Sequence, residues 1–138
     1  MSFQWSEYLD VAQELAEQAR NAPPELQEAR YRASISRAYY AAFGKARDHL
    51  RFQENIQEPR PLVSSAGERL NIHQYVRETF MNRPGLEGVG ADLNRMRLYR
   101  NRVDYDDTNL LQRLPWAAQD TLTRAKRVFT RLDSLQQQ

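Results

Sequence analysis

Apolar residues recur along this chain at steps of three and four, the spacing that gathers them on one side of an α-helix, and no convincing run alternates as a half-buried strand would. Leu9, Ala12, Leu15, Ala16 and Ala19 mark a first helix over roughly residues 6–20. Asn21-Ala22-Pro23-Pro24 ends it, because a prolyl ring clashes with a continuing helix and restricts the residue before it. A second helix starts near Glu25, with Pro24 close to the first turn, and runs to about His49 or Leu50. Its stripe is Ile35, Tyr39, Ala42, Phe43, Ala46 and Leu50, and Ala38, Ala41 and Ala42 allow another helix to come close. Between Arg51 and Val63 the pattern dissolves, and Pro59 and Pro61 predict a loop. Ser65-Ala66-Gly67-Glu68 reads as a capping box opening a short third helix to about Met81, with Ile72, Val76 and Phe80 on one side. A second loop covers Asn82 to Gly90. A fourth helix follows from about Gly90 to Val103, carrying Leu93, Met96, Tyr99 and Val103. Asp104-Tyr105-Asp106-Asp107-Thr108 interrupts it. The last helix begins between Asn109 and Pro115 and uses Leu122, Ala125, Phe129 and Leu132, and the terminal glutamines are expected to fray.

These elements predict an all-α, up-and-down bundle of about five helices, one domain over residues 1–138, with its core supplied by the second, fourth and fifth helices. Composition narrows the function. A hydrophobic fraction of 41% can fill one core, while 28% charged residues and a mean hydropathy of -0.83 exclude a membrane-embedded chain. No apolar run approaches the roughly 18 residues of a spanning helix, and the acidic opening segment lacks the order of a signal peptide. A cytoplasmic protein is expected. With no cysteine and only two histidines, His49 and His73, disulfides and thiolate zinc sites are excluded, and neither a metal centre nor a cofactor is expected. The net charge of +2 is too small to attract a polyanion unless it is clustered. All the basic residues except Lys45 and Lys126 are arginine, whose planar fork suits phosphate and carboxylate.

The densest basic stretch is Arg95, Arg97, Arg100 and Arg102. On a helix Arg97, Arg100, Asn101 and Asp104 share one face, while Arg95 and Arg102 point elsewhere. That face is either a solvated charged surface or, doubled by two-fold symmetry, a groove for nucleotide or RNA phosphates. Tyr39, Tyr40 and Phe43 suit core packing as well as a ligand cleft, and Tyr40, one step off the stripe, is the one expected to face a cleft or partner. Arg37 is expected either to pair with Asp104 or to bind phosphate. His73 is a proton-transfer candidate whose plainer reading is a group capping a helix or lying on the surface, and His49 a weaker one. Trp5 and Trp116, near helix starts, read as anchors.

Two tracts go beyond a generic helix: Ser36-Arg37-Ala38-Tyr39-Tyr40-Ala41-Ala42-Phe43 and Leu98-Tyr99-Arg100-Asn101-Arg102-Val103-Asp104-Tyr105. Their order and separation resemble small stand-alone prokaryotic HEPN domains, which carry an S-R-x-Y-Y-A-x-F tract on the second helix and an R-N tract late in the chain. His73-Gln74-Tyr75-Val76 resembles the histidine-led helix often found between them. The resemblance spans about Tyr8 to Leu132. It implies a HEPN-like bundle that dimerises, with the arginine-bearing helices of two protomers meeting at a cleft. Such domains act as nucleotide- or RNA-binding or partner-binding modules in toxin–antitoxin, defence or nucleotidyltransferase-associated systems, so an antitoxin or a nucleotidyltransferase is a possible partner. Active members are metal-independent ribonucleases in which a histidine follows the arginine by about four to six positions. After Arg100-Asn101 this chain has Arg102, Val103, Asp104, Tyr105, Asp106 and Asp107 and no histidine. A ribonuclease here would have to use Arg100 and Asn101 with Asp104, Tyr105 or His73, while Arg37, Tyr40 and Arg97 would line the ligand site. A purely structural adaptor is the third reading.

Overall fold

The computed structural model describes residues 3–64, 66–104 and 113–136, and within them five α-helices form a bundle. They are α1 (Trp5–Arg20), α2 (Pro24–Asp48), α3 (Ile72–Met81), α4 (Glu87–Asp104) and α5 (Leu114–Gln136). The expected helices are all present, with two starts displaced: α3 begins at Ile72 and not directly after a Ser65 cap, and α4 begins at Glu87, inside the loop expected up to Gly90. No helix among the described residues is long and apolar enough to cross a membrane.

Helix α2 opens on Pro24 at its first position, where a missing N–H leaves no bond unmade, and Leu26 N–H donates to the Pro23 carbonyl at 2.9 Å. Beyond Asp48 the coil widens into a π turn, His49–Gln53, which buries His49 and Leu50. Helix α3 corrects the expected capping box. Ser65 lies outside the described residues; Gly67 adopts φ 83° in a turn closed by its own N–H donating to the Ser64 carbonyl at 3.0 Å. The Ser64 hydroxyl accepts from the Ala66 and Glu68 amides, each at 3.2 Å. After a single antiparallel bridge between Val63 and Arg69, the helix is capped by Asn71 and Gln74, each side chain accepting from the other's backbone N–H at 2.8 and 3.2 Å.

The expected core of α2, α4 and α5 also takes in α1 and α3. Ala12 and Ala16 of α1 lie in one cluster with Ala38 and Ala42 of α2, and the buried Ser34 hydroxyl of α2 donates to the Ala12 carbonyl at 2.7 Å. Tyr39 and Phe43 of α2, Val76 and Phe80 of α3, Leu93 and Met96 of α4, and Leu122 and Leu132 of α5 belong to the same cluster. A smaller cluster joins Tyr31 and Ile35 of α2 to Tyr99 and Val103 of α4 and Leu114 of α5. Helices α4 and α5 are further locked through buried Asp92, which accepts from Arg124 at 2.9 Å and from Arg127 at 2.9 and 2.6 Å. Helices α3 and α4 touch at Gly90, where an added Cβ would lie 2.9 Å from both the Arg77 carbonyl oxygen and the Met81 backbone nitrogen. This contact sets how closely the polar faces of α3 and α4 approach.

Candidate functional site

Helices α2, α3 and α4 present their polar edges to one another around the Tyr39 ring. From α4, Arg100 Nη1 donates to the Tyr40 hydroxyl at 2.7 Å and Nη2 donates to Asn101 Oδ1 at 2.8 Å. Its guanidinium carbon lies 5.4 Å from the centre of the Tyr39 ring and 5.5 Å from that of Tyr40, a cation held against two aromatic faces. One turn earlier, Arg97 Nη2 donates to Asn94 Oδ1 at 3.3 Å. The Nε atoms of both arginines are buried without a hydrogen-bond partner.

From α3, His73 Nδ1 sits 2.7 Å from the Tyr39 hydroxyl, and the imidazole stacks on Phe43 with ring centres 4.2 Å apart. Arg77, four residues on and so on the same side of α3, makes no hydrogen bond or ion pair among the described residues. Burial and then neighbouring Arg97 pull its pKa below the ordinary guanidinium value. His73 is likewise pushed down, by burial first and then by Arg100, Arg47, Arg77 and Arg97, which favours its neutral form. Burial drives the Tyr39 hydroxyl up to about 12 against the opposing pull of the arginines. Of these cations Arg47 is compensated, since Glu58 takes two of its donors at 2.7 and 3.0 Å. Against Arg77, Arg97 and Arg100 stand Asp104, whose Oδ2 is 3.7 Å from Arg100 Nη1, and Glu78, which weakly supports Arg77. Among the described residues the balance is positive. Beside Arg77 and Asn94 the surface sinks into a hollow of about 480 Å³ that also includes Ser64, Glu78, Met81 and Asn82.

Most of the residues singled out by sequence therefore meet. Tyr40, His73, Arg97, Arg100, Asn101 and Asp104 lie in or beside this cluster, while Arg95 and Arg102 are exposed. Tyr105 lies outside the described residues, as do Asp106 and Asp107. Arg37 is a correction: it is exposed and rests over the Tyr8 ring of α1 at 5.3 Å, and Asp104 lies beside Arg100 instead. The face of α2 explains this: Arg32 and Tyr40, on either side of it in sequence, reach α4 at the Val103 carbonyl and at Arg100, whereas Arg37 turns toward α1. His73 is neither a helix cap nor a free surface group: Asn71 caps α3, and the imidazole is held by Tyr39 and Phe43. His49 belongs to the π turn, buried with its Nε2 2.9 Å from Glu54 Oε2. Trp5 anchors α1, packing on Gly44 and donating to Asp48 at 2.9 Å, and Trp116 is half exposed under Arg113.

Two contributors escaped sequence reasoning. Arg77 carried a signal in its i+4 relation to His73. The Tyr39 hydroxyl carried none, because a stripe of apolar residues looks the same whether or not one of its tyrosines has a polar partner.

The cluster can bind an anion through forked, charge-assisted hydrogen bonds and can offer an imidazole beside it. Among the described residues no three carboxylates or histidines converge as a metal site would require. Compared with protein-family models, curated proteins and solved structures, the chain matches none.

Proposed function

We propose that this chain is a HEPN-type domain that works as a dimeric binding module for RNA or nucleotide phosphate, without efficient cleavage. The observation that carries the reading is the convergence of Arg77, Arg97 and Arg100 beside Tyr40 and His73 with more positive than negative charge. A half-buried guanidinium with unused donors is costly in isolation, and a bound phosphate would supply the missing acceptors. The two tracts behind the family resemblance touch each other at the Arg100–Tyr40 hydrogen bond, as expected if they were selected together for one site. Dimerisation is supported by apolar surface on α4 and α5, where Leu98 and Trp116 are 39% and 52% exposed. An antitoxin or nucleotidyltransferase covering that surface is the competing partner within the same proposal.

The test is titration of a labelled single-stranded RNA and of ATP in chelator, followed by anisotropy. Three arginine contacts predict that the logarithm of the RNA binding constant falls with the logarithm of salt with a slope of about 2, at ~0.7 per phosphate. Arg100→Ala and Arg97→Ala each lower both slope and affinity. Binding that is absent at low salt, or indifferent to both substitutions, refutes the module. Light scattering at micromolar concentration reads the dimer.

A second reading has one observation in its favour. His73 enters the arginine cluster from α3, so the histidine missing after Arg100 could be replaced by one from another helix. RNA cleavage in chelator that vanishes in both Arg100→Ala and His73→Ala would establish a divergent ribonuclease.

A further inference from the structure

The Tyr39–His73 contact determines which chemistry the imidazole can offer. Tyr39 is 2% exposed, and its hydroxyl has His73 Nδ1 as its hydrogen-bond partner, at 2.7 Å. A buried phenolic hydroxyl needs an acceptor; of its other polar neighbours the guanidinium groups have none to give, and the Tyr40 hydroxyl accepts from Arg100 and makes no hydrogen bond to Tyr39. The hydroxyl therefore donates and Nδ1 accepts. In a neutral imidazole with Nδ1 as acceptor, the proton is on Nε2. Nε2 has no partner among the described residues and is not sealed from solvent.

We infer that His73, fixed by Tyr39 with its proton on Nε2, is the uncharged hydrogen-bond donor of the arginine site, turned toward an anionic oxygen of the ligand. The inference rests on the phosphate-binding reading above and makes it more specific. Each lone pair that could accept a proton is accounted for: Nδ1 is occupied by Tyr39, and Nε2 already carries hydrogen. The site is thereby built to hold a phosphate diester or a nucleotide phosphate and not to take a proton from a ribose hydroxyl. Tyr39 is a positioning residue that acts through His73. The Phe43 and Tyr39 rings stack against the imidazole and fix its plane.

Two measurements on the full chain separate this inference from the reading beneath it. Long-range proton–nitrogen NMR of the histidine-labelled protein at pH 7.5 is expected to show Nδ1 bare and Nε2 protonated, and Tyr39→Phe is expected to produce a mixture of tautomers. A wild-type His73 protonated on Nδ1 overturns the inference whether or not anything binds. The second measurement is affinity for a fluorescein-labelled twelve-nucleotide oligouridine in chelator. His73→Leu is expected to lose about tenfold, the value of one hydrogen bond to a charged group. His73→Gln, whose amide nitrogen reaches the Nε2 position, recovers most of that loss, whereas His73→Asn, whose amide reaches only the Nδ1 position, does not. Equal losses in all three, in protein of unchanged circular dichroism, overturn it. Cleavage of the oligonucleotide that depends on His73 does so as well. An absence of RNA binding to wild type removes the phosphate reading and the ligand contact with it, while the NMR result still decides the tautomer.

Discussion

Gly90 is where the fold and the candidate site depend on the same atoms. A Cβ built at this position lies 2.3 Å from Met81 Cγ and 2.9 Å from both the Arg77 carbonyl oxygen and the Met81 backbone nitrogen. The methionine side chain can rotate away, but the two backbone atoms belong to the hydrogen-bonded ladder of α3 and can move only with the whole helix. Gly90→Ala therefore sets two effects against each other. Alanine is the better helix former by about 0.8–1.0 kcal/mol. Overpacking costs typically ~1–3 kcal/mol, and rigid neighbours place this site at the upper end. The expected net is a loss of about 2 kcal/mol, or roughly 4–8 °C in Tm. Gly88 is the control, because a Cβ there meets nothing within 4 Å, so Gly88→Ala gains a few tenths of a kcal/mol, up to ~1. Denaturant unfolding followed by circular dichroism measures both. Gly90→Ala also pushes Arg77 away from Arg97, so it weakens oligonucleotide binding at temperatures where the protein is still folded. A Gly90→Ala protein as stable as Gly88→Ala would refute the argument, because it would mean that α3 and α4 are not in contact at that point.

Other expectations follow from the same contacts. Gly44→Ala would put a Cβ 2.1 Å from the Trp5 ring, so Trp5 must leave its seat and its bond to Asp48; in a Trp116→Phe background the emission maximum shifts to the red. Asp92→Ala removes the acceptor of three arginine hydrogen bonds, but both arginines reach solvent, so the cost is about 1–3 kcal/mol rather than that of a fully buried pair, read by thermal denaturation. His49 and His73 both have pKa values depressed below 6.5 in the folded state, so the unfolded chain takes up protons first. Stability is then complete above pH 6.5, falls as pH drops below it, and levels off beneath the folded values. Guanidinium midpoints between pH 7.5 and 5 measure the slope, and replacing both histidines with glutamine flattens it.

The helices were legible because each rests on a repeated local signal, and they failed where the signal was a short motif. Ser65-Ala66-Gly67-Glu68 and Asn71-Ile72-His73-Gln74 are equivalent as capping patterns, since each has a polar side chain three residues before a glutamate or glutamine. What separates them is Gly67, whose positive φ takes the chain through a turn and a lone bridge before the helix can begin. The π turn at His49–Gln53 has no sequence marker at all. It buries His49 together with Leu50, the last member of the α2 stripe.

The candidate site was legible along each helix and not between helices. Periodicity alone places Arg97, Arg100 and Asp104 on one side of α4, and it sets Tyr40 one step off the core stripe of α2, where Arg100 meets it. Register is a property of a helix pair, and no pattern within one helix encodes it. Charge alone pairs Arg37 with Asp104, but Arg37 sits on a different face of α2 from Arg32 and Tyr40, which both reach α4, and lies over Tyr8 of α1 instead. Helix pairing hides Arg77 as well, because a lone arginine on α3 acquires meaning only once Gly90 brings α3 against α4 and sets Arg77 within reach of Arg97. An arginine cluster drawn from two helices therefore depends on the closest backbone approach between them, and glycines that permit such approaches are the residues from which to begin reading a site of this kind.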